Sequence, residues 1–211
     1  MPTSLNIGIV KLLVKDTSKN TSDINNMRPL TISDVWSIIL EKILLREIID
    51  SYETRSNQFG FRAGSSCGHS VFTLKELVLF NKRKKRRTYV CSIDASKAFD
   101  KINRTMLWSK LIDEVFIGGP LSPILFSIYI DKLGQMLNKL ATGIKIDTIT
   151  INNIFYADDV LLIANSLDKM NQLLEITNKY GQEYEIKFNP NKTHFMIMFS
   201  KQFKENRENG K

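Results

Sequence analysis

Apolar residues in this chain form strand-like runs and helix-like stripes that follow one another irregularly. Runs rich in β-branched and aromatic residues predict strands, at 5–14, 88–93, 144–151, 153–164, 185–188 and 194–199. Apolar residues spaced three or four apart predict helices, from Ser33 to about residue 48 and at about 69–81, 103–113, 122–140 and 167–184. Polar stretches predict loops at 15–32 and 54–68. This irregular alternation indicates an α+β fold rather than a doubly wound sheet.

The second of these helices has a clear apolar stripe. Its inward side is expected to consist of Val71, Phe72, Leu74, Leu77 and Val78.

Two adjacent carboxylates, Asp158 and Asp159, interrupt the apolar run from Ile154 to Ile163. Burying two like charges side by side is costly, because each disfavours ionisation of the other. The pattern therefore predicts a tight turn between two core strands, with the Asp pair at its exposed tip. From the residues alone, an ordinary turn without chemistry stands beside a divalent metal site, since adjacent carboxylate oxygens suit Mg²⁺.

A third carboxylate, Asp94, ends the apolar strand 88–93. A strand-terminal Asp beside a hairpin-tip Asp pair would hold two divalent ions, as an in-line phosphoryl displacement requires. The alternative role for Asp94 is to cap a following helix.

The net positive charge of the chain indicates an anionic binding partner. The chain has 211 residues with 30 Lys and Arg against 22 Asp and Glu, a net charge of +8, and such a surplus favours nucleic acid first. However, most of the surplus lies in the run Lys-Arg-Lys-Lys-Arg-Arg at 82–87 and in the tail 201–211. A run of this kind is typical of a solvated loop, and also of a phosphate contact or a nuclear-localisation patch.

Cysteine content and hydropathy indicate an intracellular protein, in the nucleus or the cytoplasm. The two cysteines, Cys67 and Cys91, argue against a disulfide scaffold. The longest uncharged run, 115–130, contains two Gly and two Pro residues and is too short for a membrane span. The N-terminus shows no secretion signal, so we expect neither secretion nor a membrane partner.

Six segments along residues 7–199 resemble, in order, motifs of the reverse transcriptases of non-LTR (LINE-type) retrotransposons. They are 28–32 (RPLTI), 58–62 (QFGFR), 92–100 (SIDASKAFD), 119–126 (GPLSPILF), 155–159 (FYADD), and Gly181 with 189–193 (NPNKT). The first two resemble fingers motifs, the third the first catalytic motif, and FYADD the "YADD" box. One motif would be weak evidence, whereas six in order argue strongly against chance.

The resemblance implies a right-hand polymerase, with fingers at 1–87, a palm at 88–199 and a charged, disordered tail at 200–211. The palm would be an antiparallel sheet with helices on one face, and the thumb would be absent. Asp94, Asp158 and Asp159 would be the catalytic residues and would bind two Mg²⁺ or Mn²⁺ ions. They would support attack of a primer 3′-hydroxyl on a dNTP, with an RNA template and a DNA primer as partners.

The resemblance also implies a set of substrate-binding residues, namely Arg28, Phe99, Gly118, Gly119 and Lys192. Phe99 matches the ring that crowds the sugar 2′ position, and the two glycines would let the backbone approach nucleotide and template. Arg28 would reach the triphosphate from the fingers, and Lys192 would lie near it from the palm. A core aromatic, a plain turn and solvated surface charges are the respective alternatives.

Three features depart from the family pattern. Only nineteen residues separate Asp100 from Pro120, where the family has further palm elements. Ile117 stands where the family usually has Gln, and the chain ends soon after Phe199. We therefore expect a truncated, internally deleted reverse transcriptase domain with weak or lost activity. The alternatives are a non-catalytic nucleic-acid-binding remnant of a retroelement and a non-functional fragment.

Overall fold

The computed structural model of the chain describes residues 9–32, 34–51, 57–62, 64–94 and 121–199. The chain divides into two compact units, residues 1–53 with 111–125 and residues 54–110 with 126–211. This division does not follow the expected boundary at residue 87, and the assignment of fingers and palm stays a prediction.

In the first unit, strands β1 (Ile9–Val14) and β2 (Met27–Ile32) form an antiparallel pair. A short 3₁₀ helix, Ile24–Asn26, leads into β2. The loop expected at 15–32 is therefore wrong over its second part. Pro29 argued against a strand here, since proline cannot donate to a central ladder. It is tolerated in β2 because both strands of a two-stranded sheet are edge strands.

Helix α1 (Val35–Ser51) follows β2 in the first unit. Asp34 caps it, since the Asp34 carboxylate accepts a hydrogen bond from the backbone N–H of Trp36 at 3.2 Å. The apolar stripe predicted for this helix is largely exposed, including Val35, Ile39 and Ile43.

The second unit is built on one sheet with the strand order β6-β7-β3-β8, antiparallel throughout. Its elements in chain order are α2 (Cys67–Arg83), β3 (Thr88–Asp94), α3 (Leu121–Asn138, beginning before the division at residue 125), β4 (Ile144–Ile146), β5 (Ile149–Ile151), β6 (Asn153–Tyr156), β7 (Asp159–Ala164), α4 (Leu167–Glu183) and β8 (His194–Met198). A short 3₁₀ helix, Pro190–Lys192, precedes β8.

Two strand predictions in this unit need correction. The run 144–151 forms two short antiparallel strands, because the chain turns at Asp147, whose φ is 52°. The run 185–188 follows α4 directly and forms no regular strand.

Both faces of β6 are covered by other parts of the second unit. Ile154 packs in a cluster with Leu77 of α2, Ile144 of β4 and Ile163 of β7. Phe155 points to the opposite face, because successive strand residues alternate, and its ring lies against Gly134 of α3. The α+β class itself is confirmed.

Helix α2 turns a narrower stripe inward than its sequence predicted. The buried positions are Ser70, Leu77 and Asn81, spaced by seven and four residues as one helix face requires. Val71 and Phe72 fall outside that face and are exposed. No helix among the described residues is long and apolar enough to cross a membrane.

Candidate active site

The carboxylates of Asp158 and Asp159 lie at the tip of a tight hairpin, as the sequence pattern predicted. Two residues, Ala157 and Asp158, join β6 to β7, and Tyr156 lies opposite Asp159. Ala157 has a φ of 56° and is nearly buried. A positive φ at the first loop position is the geometry of a type II′ turn, where glycine is the usual residue. The tip of the hairpin is thus tight and conformationally demanding.

The strand register brings Asp94 to the same end of the sheet. β3 pairs antiparallel with β7, and Asp94, the last residue of β3, lies directly opposite Asp159. Side chains at directly opposed positions have Cβ atoms about 4.5–5.5 Å apart. Three carboxylates therefore converge where β3 ends and β7 begins.

The charges of these carboxylates act on one another. The pKa of the Asp159 carboxyl is raised above its ordinary value, first by partial burial and then by the negative charges of Asp158 and Asp94. The ammonium of Lys192 acts in the opposite direction. The site therefore concentrates negative charge that a cation would relieve.

Lys192 supplies the one positive charge described at Asp94. Its Nζ donates to Asp94 Oδ1 at 3.1 Å and to Asp94 Oδ2 at 3.0 Å. The backbone holds the pair together, because the N–H of Asn189 donates to the carbonyl of Asp94 at 2.9 Å. The Asn189 side chain then caps the 3₁₀ turn by accepting from the N–H of Asn191 at 3.0 Å.

Carboxylate oxygens are donors that suit Mg²⁺ or Mn²⁺, and Asp94, Asp158 and Asp159 supply three carboxylates at this end of the sheet. Among the described residues, however, no three His, Cys, Asp or Glu side chains are already grouped as a metal cluster. The Lys192 ammonium engages both oxygens of Asp94 in this arrangement.

The other predicted substrate-binding residues lie either in the first unit or outside the described residues. Arg28 lies in β2 of the first unit, opposite Leu13. Phe99, Gly118 and Gly119 lie outside the described residues, as does the tail 200–211.

The basic run 82–87 ends α2 and forms the turn before β3. All of its side chains are exposed, which fits the solvated segment that its composition predicted. Lys84 lies over the ring of Phe80, with its Nζ 4.2 Å from the ring centroid, so part of the run packs along its own helix.

Sequence reasoning missed the role of Gln58. This side chain is buried, and its Oε1 accepts from the N–H of Gly60 at 2.9 Å and of Ala157 at 3.3 Å. The neighbouring backbone pairs with β6, since Phe155 donates to Asn57 and Phe59 donates to Phe155, both at 2.9 Å. The QFGFR segment resembles a known motif, but nothing in its spacing connects it with the hairpin.

A buried amide network fixes the start of β6 to the end of α3, and it was also missed. Asn153 donates to Asn138 Oδ1 at 2.8 Å and accepts from Asn57 Nδ2 at 2.9 Å. Asn152 donates to the carbonyl of Leu137 at 2.7 Å. Two consecutive amides inside an apolar run were the available signal, because buried polar groups require partners.

Part of the chain matches a known protein family. Residues 111–208 match the model of the family described as "Reverse transcriptase (RNA-dependent DNA polymerase)". The chain is 25% identical over 213 residues to the Pol polyprotein of the type-2 retrotransposable element R2DM of Drosophila melanogaster, covering 83% of this chain and 20% of the relative. It is 26% identical over 182 residues to the Pol polyprotein of the type-1 retrotransposable element R2 of Popillia japonica, covering 67% and 25%.

The chain thus spans about a fifth to a quarter of the length of these curated relatives. Among solved structures, it resembles telomerase from Candida albicans in complex with a fragment of telomeric RNA, with a TM-score of 0.59, 13% identity, and coverage of 93% of this chain and 43% of that one. It also resembles apo telomerase from Candida tropicalis truncated from its C-terminal domain, with a TM-score of 0.57, 13% identity, and coverage of 90% and 50%. At this identity the likeness shows the fold.

The fold and the matched family model together place the chain in the class of reverse transcriptase domains. The two R2 relatives narrow this class. The chain carries a reverse transcriptase domain of the non-LTR retrotransposon type, which confirms the family that its motifs resemble.

Proposed function

We propose that this domain extends a DNA primer on an RNA template, adding dNTPs at a site formed by Asp94, Asp158 and Asp159. The register that sets Asp94 opposite Asp159, with Asp158 in the adjoining turn, is the observation that carries this proposal. Copying of this kind takes place where RNA templates and dNTPs are found, which makes an intracellular site of action part of the proposal.

The three carboxylates would hold two divalent ions, Mg²⁺ or Mn²⁺. Such ions, when bound, neutralise charge on the transferring phosphoryl group and assist both the attacking and the leaving oxygen. The raised pKa of Asp159 supports this fit, since the local negative charge that raises it also favours binding of a cation.

The chain's own residues have the task of positioning the reactants. Phosphoryl transfer leaves little covalent work for the protein, so that alignment and charge carry the catalysis. Asp94 and Asp159 are fixed by strand pairing and Asp158 by the turn, which limits reorganisation during the reaction. Lys192, beside Asp94, would turn from the carboxylate to the triphosphate of an incoming nucleotide. Arg28, Phe99, Gly118 and Gly119 would complete the nucleotide and template contacts.

We expect the activity to be weak, because the chain is shortened between Asp100 and Pro120. The alignment with the Drosophila melanogaster relative supports an internal shortening. It extends over 213 residues, more than this whole chain contains, yet takes in only 83% of the chain. Segments of the relative therefore have no counterpart here.

Primer extension on an RNA template tests the proposal. The wild-type chain should incorporate dNTPs with Mg²⁺ or Mn²⁺, and Asp158→Ala should reduce incorporation to background. Asp147→Asn is the matched control, because Asp147 also lies in a hairpin turn but outside the carboxylate cluster. Incorporation that survives Asp158→Ala would reveal a contaminating polymerase and contradict the proposal, as would a wild type that is inactive with both metals.

A second candidate function is nucleic-acid binding without catalysis. The exposed basic run 82–87 favours it, because Lys and Arg contacts to phosphate make binding strongly salt-dependent. Neutralising Lys84, Lys85 and Arg86 to Gln should flatten the dependence of RNA affinity on salt concentration. The matched control removes the same charge from exposed positions elsewhere, at Lys132, Lys139 and Lys145. If RNA affinity depends on salt concentration equally in the two triple variants, the run 82–87 does not contact the RNA.

A further inference from the structure

The turn that carries Asp158 needs support from outside the hairpin. Ala157 has a φ of 56°, a backbone conformation that residues with a side chain rarely adopt. Such conformations persist when the surrounding structure holds them in place. Strand pairing fixes the turn only as far as Tyr156 and Asp159, so the two loop residues depend on other contacts.

The side chain of Gln58 provides one such contact. Its Oε1 accepts from the N–H of Ala157 at 3.3 Å, within the turn itself, and from the N–H of Gly60 at 2.9 Å. Gln58 is 3% exposed, so little water competes for these hydrogen bonds. The acceptor thus fixes the residue immediately before Asp158.

Gly60 brings the supporting segment into direct contact with the turn. A Cβ at this position would lie 2.3 Å from the backbone nitrogen of Ala157. The φ of Gly60 is not positive. The glycine is therefore needed because it lets the backbone approach Ala157 closely, and not because of its own conformation. Backbone pairing on both sides of Phe155 then joins residues 57–59 to β6.

The Nε2 end of the Gln58 amide indicates that the Oε1 acceptor is the atom that matters for the turn. Among the described residues, the buried Nε2 of Gln58 has no hydrogen-bond partner. An unpaired buried donor is costly, and such exceptions in folded proteins call for a reason. The Oε1 acceptor at the turn supplies that reason.

We propose that Gln58 and Gly60 form a clamp that sets the position of Asp158, with Gln58 as a positioning residue for the reaction proposed above, on which this inference rests. Residues 58–62 also resemble a fingers motif, and contact with the template is the alternative role for Gln58. The clamp acts on the metal-binding end of the sheet and leaves RNA affinity unchanged.

The experiment compares three variants of Gln58 in the full chain. Gln58→Met keeps the size of the side chain and removes the acceptor, Gln58→Glu keeps the acceptor, and Gln58→Asn shortens its reach. Gln182→Met, on the exposed side of α4, is the matched control. Each variant is tested in four ways: amide hydrogen exchange at Ala157, Mn²⁺ binding by electron paramagnetic resonance, RNA affinity, and kcat and KM for dNTP incorporation.

Gln58→Met should speed exchange at Ala157 about tenfold, as expected when a local contact opens. It should also weaken Mn²⁺ binding by about 10- to 100-fold, the usual effect of losing a group that orients a metal ligand. We expect kcat to fall while KM and RNA affinity stay at wild-type values. Gln58→Glu should keep the exchange protection. If Gln58→Met does not fold cooperatively, Gln58→Asn is expected to show the same changes.

Gly60→Ala provides an independent arm, because its Cβ cannot fit against Ala157 without a backbone shift. It should reproduce the loss of Mn²⁺ affinity, whereas Gly68→Ala, whose Cβ would meet only Ser66 Oγ at 3.4 Å, should match the wild type.

Two results would overturn the clamp. One is unchanged exchange at Ala157 in Gln58→Met, and the other is weaker RNA binding with Mn²⁺ affinity intact, which would assign Gln58 to template contact. Failure of the proposed function gives a different result. In that case Mn²⁺ binding would be the same in the wild type and in Asp158→Ala. Exchange at Ala157 would still decide whether the clamp exists.

Discussion

Lys192 donates hydrogen bonds to both carboxylate oxygens of Asp94, at 3.1 and 3.0 Å. A monovalent cation thus lies against a residue that we propose to bind divalent ions. The two positive charges compete for the same oxygens, so that loading of the site requires Lys192 to move away from Asp94.

Replacing Lys192 with Met should raise Mn²⁺ affinity several-fold while lowering nucleotide incorporation. The affinity rises because the competing charge is lost, and incorporation falls because the triphosphate loses a cationic partner. The cost in folding free energy should stay below about 1 kcal/mol, because the ion pair is partly exposed. Titration calorimetry with Mn²⁺ and primer extension measure the two effects.

Lys187→Met is the control for this variant, because Lys187 is exposed in the same segment. Equal Mn²⁺ affinity in Lys192→Met and the wild type would show that the ion pair does not compete with the metal.

Replacing Asp159 with Asn should stabilise the metal-free protein at neutral pH. The pKa of Asp159 is raised in the folded state, so its ionisation opposes folding once the pH exceeds the ordinary value of the carboxyl group. The gain should therefore be complete above the folded-state pKa. It should vanish as the pH falls below 3.8, the ordinary pKa of the carboxyl group, because the carboxyl is then protonated in both states. Thermal melts across this pH range should show a rise of a few degrees at pH 7.

Asp147→Asn again serves as the comparison, since it makes the same chemical change in the turn between β4 and β5. A gain for Asp159→Asn that persists at pH 3 would mean that packing, rather than charge, is responsible.

Replacing Ala157 with Val should destabilise the protein by about 1–3 kcal/mol, because a β-branched residue is strained at a φ of 56°. Ala157→Gly should be close to neutral, since glycine adopts this conformation freely while losing only a methyl group. Urea unfolding gives both values. A loss for Ala157→Gly as large as that for Ala157→Val would contradict backbone strain as the cause.

Replacing Tyr180 with Phe should cost about 1–2 kcal/mol of stability. Tyr180 is fully buried, and its hydroxyl donates to the carbonyl of Tyr129, joining α4 to α3. Burial holds the pKa of this hydroxyl above its ordinary value, in keeping with a group that stays a donor. Differential scanning calorimetry should show a lower melting temperature for Tyr180→Phe. The melting temperature of Tyr156→Phe should hardly change, because the ring of Tyr156 is partly exposed. Equal shifts in the two variants would contradict a stabilising role for the Tyr180 hydrogen bond.

The hairpin that carries Asp158 and Asp159 was predictable from sequence because its signal is local. Asp158 and Asp159 interrupt an apolar run, and electrostatics leave few places for adjacent carboxylates other than an exposed turn. The pairing of Asp94 with Asp159 depends on register, which the apolar pattern of a single strand does not fix.

The contacts of Gln58 could not be predicted in this way, because hydrophobic periodicity carries no information about non-local hydrogen bonds. The strand at 27–32 was missed for a different reason, since Pro29 and the preceding Asn residues are typical of loops. In each case tertiary context decided what local preference left open.

The hydrogen bond from Ala157 to Gln58 joins residues 99 positions apart, and this separation has a kinetic consequence. The hairpin itself is local and should form in about 1–10 μs, whereas its clamp must wait for a long loop to close. Doubling the length of such a loop costs only about 0.6 kcal/mol. Shortening or lengthening the intervening chain therefore changes the chain entropy of closure very little, and the turn should form before its support in either case.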